Sequence, residues 1–285
     1  SSGSITTATS GNIIIDSTGT PGAFSLGTIT SAGTVNIGLA TAPSSITLNG
    51  TITGGVQDNI TLDAGTGSLD TNEQSITGIG ASSSITLIAD TIDLGTTADK
   101  ISAGTIVIKP QTTSRTVGIG DSATGDFNLT VAEIGTLTGY AGLTIGASGN
   151  TGAVDINNIT FEGDTTIYGG AMALETITTV DKSVTLNARG GVTDATADTN
   201  DNFTLGSGIL TIAATTSSGY IGTSGTGAID INTTGQVNLS ATDQFTGAIY
   251  VNFNGATAKN LGTVTTGTST TCSISSVSGS NITQS

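Results

Sequence analysis

The chain repeats a short motif in which two aliphatic residues flank one residue, most often Thr, Asp or Asn. Apolar and polar residues that alternate over a few positions indicate a β-strand with one buried face, and Val, Ile and Thr suit strands. Helical periodicity is nearly absent, so the pattern predicts an all-β protein. The motif occurs at Ile13–Ile15, Val35–Ile37, Ile46–Leu48, Ile60–Leu62, Ile85–Leu87, Ile92–Leu94, Ile106–Ile108, Val117–Ile119, Phe127–Leu129, Leu143–Ile145, Val154–Ile156, Val184–Leu186, Leu210–Ile212, Ile229–Ile231, Val237–Leu239 and Ile249–Val251.

The spacing of these motifs predicts a repeat architecture. Early in the chain they fall near residues 13, 24, 35 and 46, and later the gaps lengthen or shorten. Clusters rich in Gly, Ser, Thr, Asn and Asp, such as Gly65-Thr66-Gly67, separate them and favour turns. Two to three motifs per repeat give a repeat of about 20–30 residues, which is typical of a solenoid.

Two all-β architectures compete for this pattern. A β-sandwich has longer strands and usually aromatic core residues, whereas this chain has short strands and no Trp. A parallel β-helix has a narrow interior that stacked aliphatic side chains fill. We therefore expect residues 1–285 to form one continuous single-stranded parallel β-helix (β-solenoid) of about 10–14 coils, shaped as a rod. A loop excursion is expected near residues 187–202, the longest break in the strand pattern.

Composition excludes several functions. Six Lys and Arg against 21 Asp and Glu give a net charge of −15. Nucleic-acid binding needs clustered cations, so no nucleic-acid partner is expected. Only 3 Pro accompany the 42 Gly, without the period of collagen. No stretch approaches the roughly 20 apolar residues of a membrane-spanning helix, so no membrane insertion is expected.

The chain offers no catalytic constellation. It contains no His, so Ser-His-Asp and Cys-His arrangements are impossible. Glycoside hydrolysis needs two carboxylates at a defined separation, but Asp93, Asp155 and Asp230 lie at the centres of separate motifs. These side chains are expected on the solvated outer face of strands. We expect no enzyme, no catalytic residue and no cofactor.

One loop contains enough oxygen ligands to suggest a metal. Asp194, Asp198 and Asp201 lie close together in sequence with Asn200 and Asn202, and Ca²⁺ prefers such ligands. The order of an EF-hand is absent, and the ordinary interpretation is an exposed acidic loop between coils. No metal is therefore predicted, and the three aspartates stand as a weak calcium candidate. Protruding loops often carry binding, which makes this loop the best single candidate for a site.

Part of the chain resembles a segment of the large bacterial exoproteins related to filamentous haemagglutinin. The resemblance runs from Ile106 to Gly146, and repeats outside that segment are similar in style. This resemblance implies a right-handed parallel β-helix, a handedness that parallel crossover connections also favour. It further implies a secreted protein at the bacterial cell surface that acts as an adhesin. The matching residues are Arg115–Gly120, Leu129–Ile134 and Leu143–Gly146, with flanking repeats at Ser45–Gly50 and Asn59–Gly65.

The function expected from sequence is structural and adhesive, as the non-catalytic stalk of such an exoprotein. Its partners would be flanking repeats or other copies of itself at the solenoid ends, and cell-surface glycans or receptors. The alternative is a self-assembling extracellular filament subunit joined end to end by strand pairing, because solenoid ends expose unpaired edges.

Ice binding is a further alternative, because rows of Thr-x-Thr on a flat solenoid face can order water. Thr28-Ile29-Thr30, Thr51-Ile52-Thr53 and Thr176-Ile177-Thr178 have this form. They do not recur at one repeat-length spacing, so the sequence predicts no Thr ladder on one face.

Overall fold

The chain folds as a nearly all-β protein whose parallel strands stack as a β-solenoid, with about 11 turns in all. The predicted fold class and repeat architecture are confirmed. Contact clustering divides the chain into two compact units. Unit 1 comprises residues up to Arg115 together with Asp126–Gly146, and unit 2 comprises Thr116–Gly125 together with residues from Ala147 onwards. The structure, a computed structural model, describes residues 4–7, 11–18, 21–215, 219–242, 247–255, 259–267, 271–276 and 282–284.

Unit 1 has three parallel sheets, and each turn of the chain contributes up to one strand to each sheet. The detour before its last turn contains β16 (Phe127–Leu129) and the short helix α1 (Val131–Ile134). Sheet 1A contains β1 (Ile5–Thr6), β4 (Ile29–Thr30), β7 (Ile52–Val56), β10 (Ile76–Ile79), β13 (Ile101–Ser102) and β17 (Leu137–Thr138). Sheet 1B contains β2 (Ile13–Ile15), β5 (Val35–Ile37), β8 (Asn59–Asp63), β11 (Ser84–Ile88), β14 (Thr105–Lys109) and β18 (Gly142–Ile145). Sheet 1C contains β3 (Ala23–Leu26), β6 (Ser45–Leu48), β9 (Ser68–Asp70) and β12 (Thr91–Asp93).

Unit 2 is built in the same way from three parallel sheets, with one 3-10 turn at Gly225–Gly227. Sheet 2A contains β15 (Val117–Ile119), β19 (Val154–Ile156), β22 (Met172–Leu174) and β25 (Val192–Asp194). Sheet 2B contains β20 (Ile159–Phe161), β23 (Ile177–Thr179), β26 (Phe203–Gly206), β28 (Ile229–Thr233), β30 (Ile249–Phe253) and β32 (Cys272–Ser276). Sheet 2C contains β21 (Asp164–Gly169), β24 (Val184–Ala188), β27 (Leu210–Ala214), β29 (Gln236–Ala241), β31 (Lys259–Thr266) and β33 (Ile282–Gln284).

In both units the alternating pattern forms a core of stacked aliphatic side chains. In sheet 1B, Ile85 lies between Ile60 and Ile106 of the adjacent turns, and all three are fully buried. Sheet 2C repeats the arrangement with the buried Leu186 between two buried Ile residues. Each buried Ile or Leu contributes about 1.5–3 kcal/mol relative to an exposed one, so every turn stabilises its neighbours.

The length of a turn agrees with the predicted repeat except at one place. Ile60 pairs with Ile85 25 residues later, and Val184 pairs with Leu210 26 residues later. The exception is the 37-residue turn from Ile106 to Leu143, which contains the detour through β16 and α1.

Helix α1 is too short to produce a periodic pattern, but its start follows a local rule. The Thr130 side chain accepts a hydrogen bond from the backbone N–H of Glu133, and the Glu133 carboxylate accepts from the N–H of Thr130. This capping box satisfies two backbone donors at the helix start. Among the described residues, no helix is long and apolar enough to cross a membrane.

Candidate functional site

The acidic loop, residues 195–202 in unit 2, connects β25 to β26. The segment 187–202 that the sequence marks as an excursion also contains strand β25. Asp194 at the end of β25 is 8% exposed and holds the start of the loop. Its Oδ1 accepts a hydrogen bond from the Thr196 N–H at 3.1 Å, and its Oδ2 accepts from the Asp198 N–H at 3.0 Å.

The other two candidate ligands point to different surroundings. Asp198 lies at the rim, where the N–H of Asn200 donates to its Oδ1 at 2.7 Å and lowers the pKa of the Asp198 carboxyl. Asp201 instead reaches two later turns, because the amides of Asn232 and Asn254 donate to its two oxygens at 3.0 and 2.7 Å. Within the described part of the chain, no three carboxylate, Cys or His side chains form a group that could hold a metal.

Asp230 of β28 is the residue that the sequence interpretation misplaced. Expected on a solvated outer face, it is 2% exposed. The acidic loop covers it: Asn202 accepts a hydrogen bond from the Asp230 N–H at 2.9 Å while its amide donates to the Glu175 carbonyl at 3.0 Å. The motif around Asp230 predicts the strand correctly, but a loop from an earlier turn that folds over its outer face leaves no local signal.

The Asp230 carboxylate is only partly satisfied. Its Oδ1 accepts from the amides of Asn252 and Asn254, each at 3.3 Å. Its Oδ2 is buried and has no hydrogen-bond partner among the residues that the structure describes. Burial raises the pKa of Asp230, the hydrogen bonds from the two amides oppose this, and the nearby charges of Asp194 and Asp201 raise it further.

A buried cation lies in the same region. Lys259 is 1% exposed, and its Nζ donates to the Thr233 carbonyl at 3.2 Å. Burial lowers the pKa of Lys259, and the negative charge of Asp201 raises it. We call the following set of residues the Asp–Asn cluster: Asp194, Asp201, Asn202, Asp230, Asn232 and Asn254.

A polar cleft of about 500 Å³ lies beside the acidic loop. The Asn158 amide donates to a Glu175 oxygen at 2.8 Å across it. Its lining has only hydroxyl, amide and carboxylate groups, which suit a polar, uncharged or cationic ligand. The lining residues are Asn158, Glu175, Thr176, Thr196, Asp198, Asn200 and Asn202.

Unit 1 carries a second feature, a hydroxyl array on the outer face of sheet 1A. One column contains only Thr and Ser in register on six successive strands, and a neighbouring column adds Thr28, Thr51 and Ser75. The prediction that no Thr ladder forms on one face was therefore wrong. Turns of unequal length hide the ladder in sequence, whereas strand pairing aligns it. The column is Thr6, Thr30, Thr53, Thr77, Ser102 and Thr138.

No protein-family model, curated protein or solved structure matches this chain. The class that the fold defines is a parallel β-solenoid, which is consistent with a repeat-type adhesin region.

Proposed function

We infer that the chain is a non-catalytic structural segment of a secreted, surface-associated exoprotein, an adhesin stalk of the kind related to filamentous haemagglutinin. The observation that carries this proposal is the in-register stacking of parallel strands in each unit, turn after turn. Such stacking makes each turn a template for the next, so a repeat protein can extend without a new core. The resemblance of residues 106–146 supports the choice of protein class.

The chemistry of the chain supports a role without catalysis. The sequence contains no His and its few cations are scattered, so the usual nucleophile–base pairs are lacking. Binding would occur through loops. The polar cleft beside the acidic loop is the place where a cell-surface glycan would fit, because its amides, hydroxyls and carboxylates match sugar hydroxyls as hydrogen-bond partners.

Two measurements test the stalk proposal. Sedimentation velocity and electron microscopy across a concentration series should give monomers at every concentration, because flanking repeats would cover the solenoid ends in the parent protein. Fibres that grow with concentration would favour the alternative filament subunit. Protease treatment of intact source cells should release peptides of this chain, and recovery of the chain only from the cytosol would overturn the surface location.

The hydroxyl array favours ice binding as a second candidate function. Strands of a sheet lie about 4.8 Å apart, and alternate residues on a strand about 6.6 Å apart, so the two columns form a regular grid of hydroxyl and methyl groups. Such a grid would hold water at repeated positions. Ice recrystallisation should be inhibited by the chain and not by Thr53→Lys, whereas Thr211→Lys on the outer face of β27 serves as the control. No inhibition by the unmodified chain would exclude this function.

A further inference from the structure

We propose that the Asp–Asn cluster binds one divalent cation, Ca²⁺, with carboxylate ligands from Asp201 and Asp230 and an amide ligand from Asn254. The site would fasten the acidic loop to strands β28 and β30 and so stabilise unit 2. This inference is independent of the stalk proposal, because it concerns how one loop is held and makes no use of an adhesive partner.

The position of the Asn254 amide is the first argument. Its Nδ2 lies 2.7 Å from Oδ1 of Asp201 and 3.3 Å from Oδ1 of Asp230. A positively polarised NH₂ group between two carboxylates occupies the place that a cation would take. Rotation of the amide about its terminal bond exchanges nitrogen for oxygen, which would turn Asn254 from a donor to the two carboxylates into a ligand of a cation between them.

The unsatisfied oxygen of Asp230 is the second and independent argument. Oδ2 is buried and lacks a hydrogen-bond partner among the described residues. A buried carboxylate oxygen without a partner is costly, and native structures normally supply a partner, a water or an ion. A cation bound between Asp201 and Asp230 would satisfy it.

The local charge supports a divalent ion. Asp194, Asp201 and Asp230 lie close enough for the charges of the first two to disfavour ionisation of the third. Lys259 is the positive group that acts on Asp201 in this region, so one Lys⁺ against three carboxylates leaves a charge of −2. One divalent cation would neutralise that charge, and buried charges need such compensation.

The donor set selects Ca²⁺ over other metals. Asp201, Asp230, Asn232 and Asn254 supply only oxygen as a ligand, and the chain has no His. Zinc and copper prefer imidazole or thiolate ligands. Mg²⁺ demands near-ideal octahedral geometry, whereas Ca²⁺ accepts irregular sets of carboxylate, amide and water oxygens. Two carboxylates with amide ligands also agree with the absence of a three-carboxylate group among the described residues.

The test is calcium titration of the full chain after treatment with a chelator. Isothermal titration calorimetry with CaCl₂ should reveal one saturable site with a Kd on the order of 10⁻⁴–10⁻³ M, as in extracellular calcium modules. The Tm measured by differential scanning calorimetry should rise by about 2–4 °C at calcium concentrations near ten times Kd. Absence of saturable binding by the unmodified chain would overturn the proposal.

Three variants localise the site. Asp230→Asn and Asp201→Asn keep the shape of the side chain and should each weaken calcium binding at least tenfold and abolish the rise in Tm. Without calcium, Asp230→Asn should melt no lower than the unmodified chain, because it removes a buried charge, which shows that the variant is folded. The control is Asp99→Asn in unit 1, an exposed residue whose positive φ of 60° Asn also accepts. Unchanged binding by Asp230→Asn, or equal loss by Asp99→Asn, would refute the site.

Discussion

A glycine is required wherever two turns approach too closely for a side chain. At Gly104 in unit 1, a Cβ atom would overlap the backbone carbonyl oxygen of Ala81. At Gly142, the nearest atom to a Cβ would be a Thr105 methyl at 3.8 Å, an ordinary contact. We predict that Gly104→Ala lowers the free energy of unfolding by about 1–3 kcal/mol through overpacking. Gly142→Ala is the control and should leave it unchanged or higher, measured by guanidinium denaturation; equal losses would contradict this explanation.

Glu73 of unit 1 has an unusually acidic carboxyl. Hydrogen bonds from the Thr97 side chain and from the backbone N–H groups of Thr96 and Thr97 lower its pKa from 4.5 to about 2. Because the folded pKa is lowered, the stabilisation is complete above pH 4.5 and is lost as the pH falls towards 2. We predict that Glu73→Gln lowers Tm at pH 7 and that the two chains converge near pH 2. A carbon-detected NMR titration that gave an ordinary pKa for Glu73 would contradict this.

The candidate site was only partly predictable at this scale. Asp194, Asp198 and Asp201 are visible in sequence because they are clustered along the chain. Asp230 and Asn254 reach the same place from later turns, and the bond from Asn254 to Asp201 joins residues 53 positions apart. Turns of unequal length give no fixed offset for such a partner, so only the folded register brings them together.

Elements with an apolar–polar–apolar motif were predictable, because the motif states which face is buried. Of the motifs found in sequence, all lie within strands except that Leu94 falls just after β12. Strands of two residues, such as Ile29–Thr30 and Ile101–Ser102 of sheet 1A, are too short to alternate. Pairing with the neighbouring turns forms these strands, and a local pattern cannot report that pairing.

The two faces of one strand should respond differently to substitution. In β11 of unit 1, Leu87 is fully buried between Leu62 and Ile108, whereas Thr86 faces outwards between Thr61 and Val107. Leu87→Ala should lower the free energy of unfolding by about 2–5 kcal/mol, from lost burial and the cavity that remains. Thr86→Ala should lower it by less than about 1 kcal/mol, within the range of strand propensity. Urea or guanidinium denaturation measures both, and comparable losses would show that β11 is not packed as described.

At the scale of the whole molecule, the sequence predicts the kind of fold better than its extent. The motif spacing predicts a solenoid, because a short strand with one buried face gains stability only when a neighbouring turn covers it. The detour before β18 in unit 1 and the loop that covers Asp230 in unit 2 depend on contacts between residues far apart in sequence. Composition is uniform along the chain and gives no signal for either feature.

The stacking in each unit implies that stability depends mainly on neighbouring turns. Leu186 in β24 of unit 2 is fully buried and lies between Ile167 of β21 and Ile212 of β27. Leu186→Ala should therefore increase amide hydrogen exchange most strongly in β21, β24 and β27, because a local cavity weakens the opening equilibrium of those strands first. Amides in β5, β8 and β11 of unit 1 should keep their protection under native conditions. Mass spectrometry of exchanged peptides measures both sets, and an equal loss of protection in every strand would show a single cooperative unit in place of coupling between nearest neighbours.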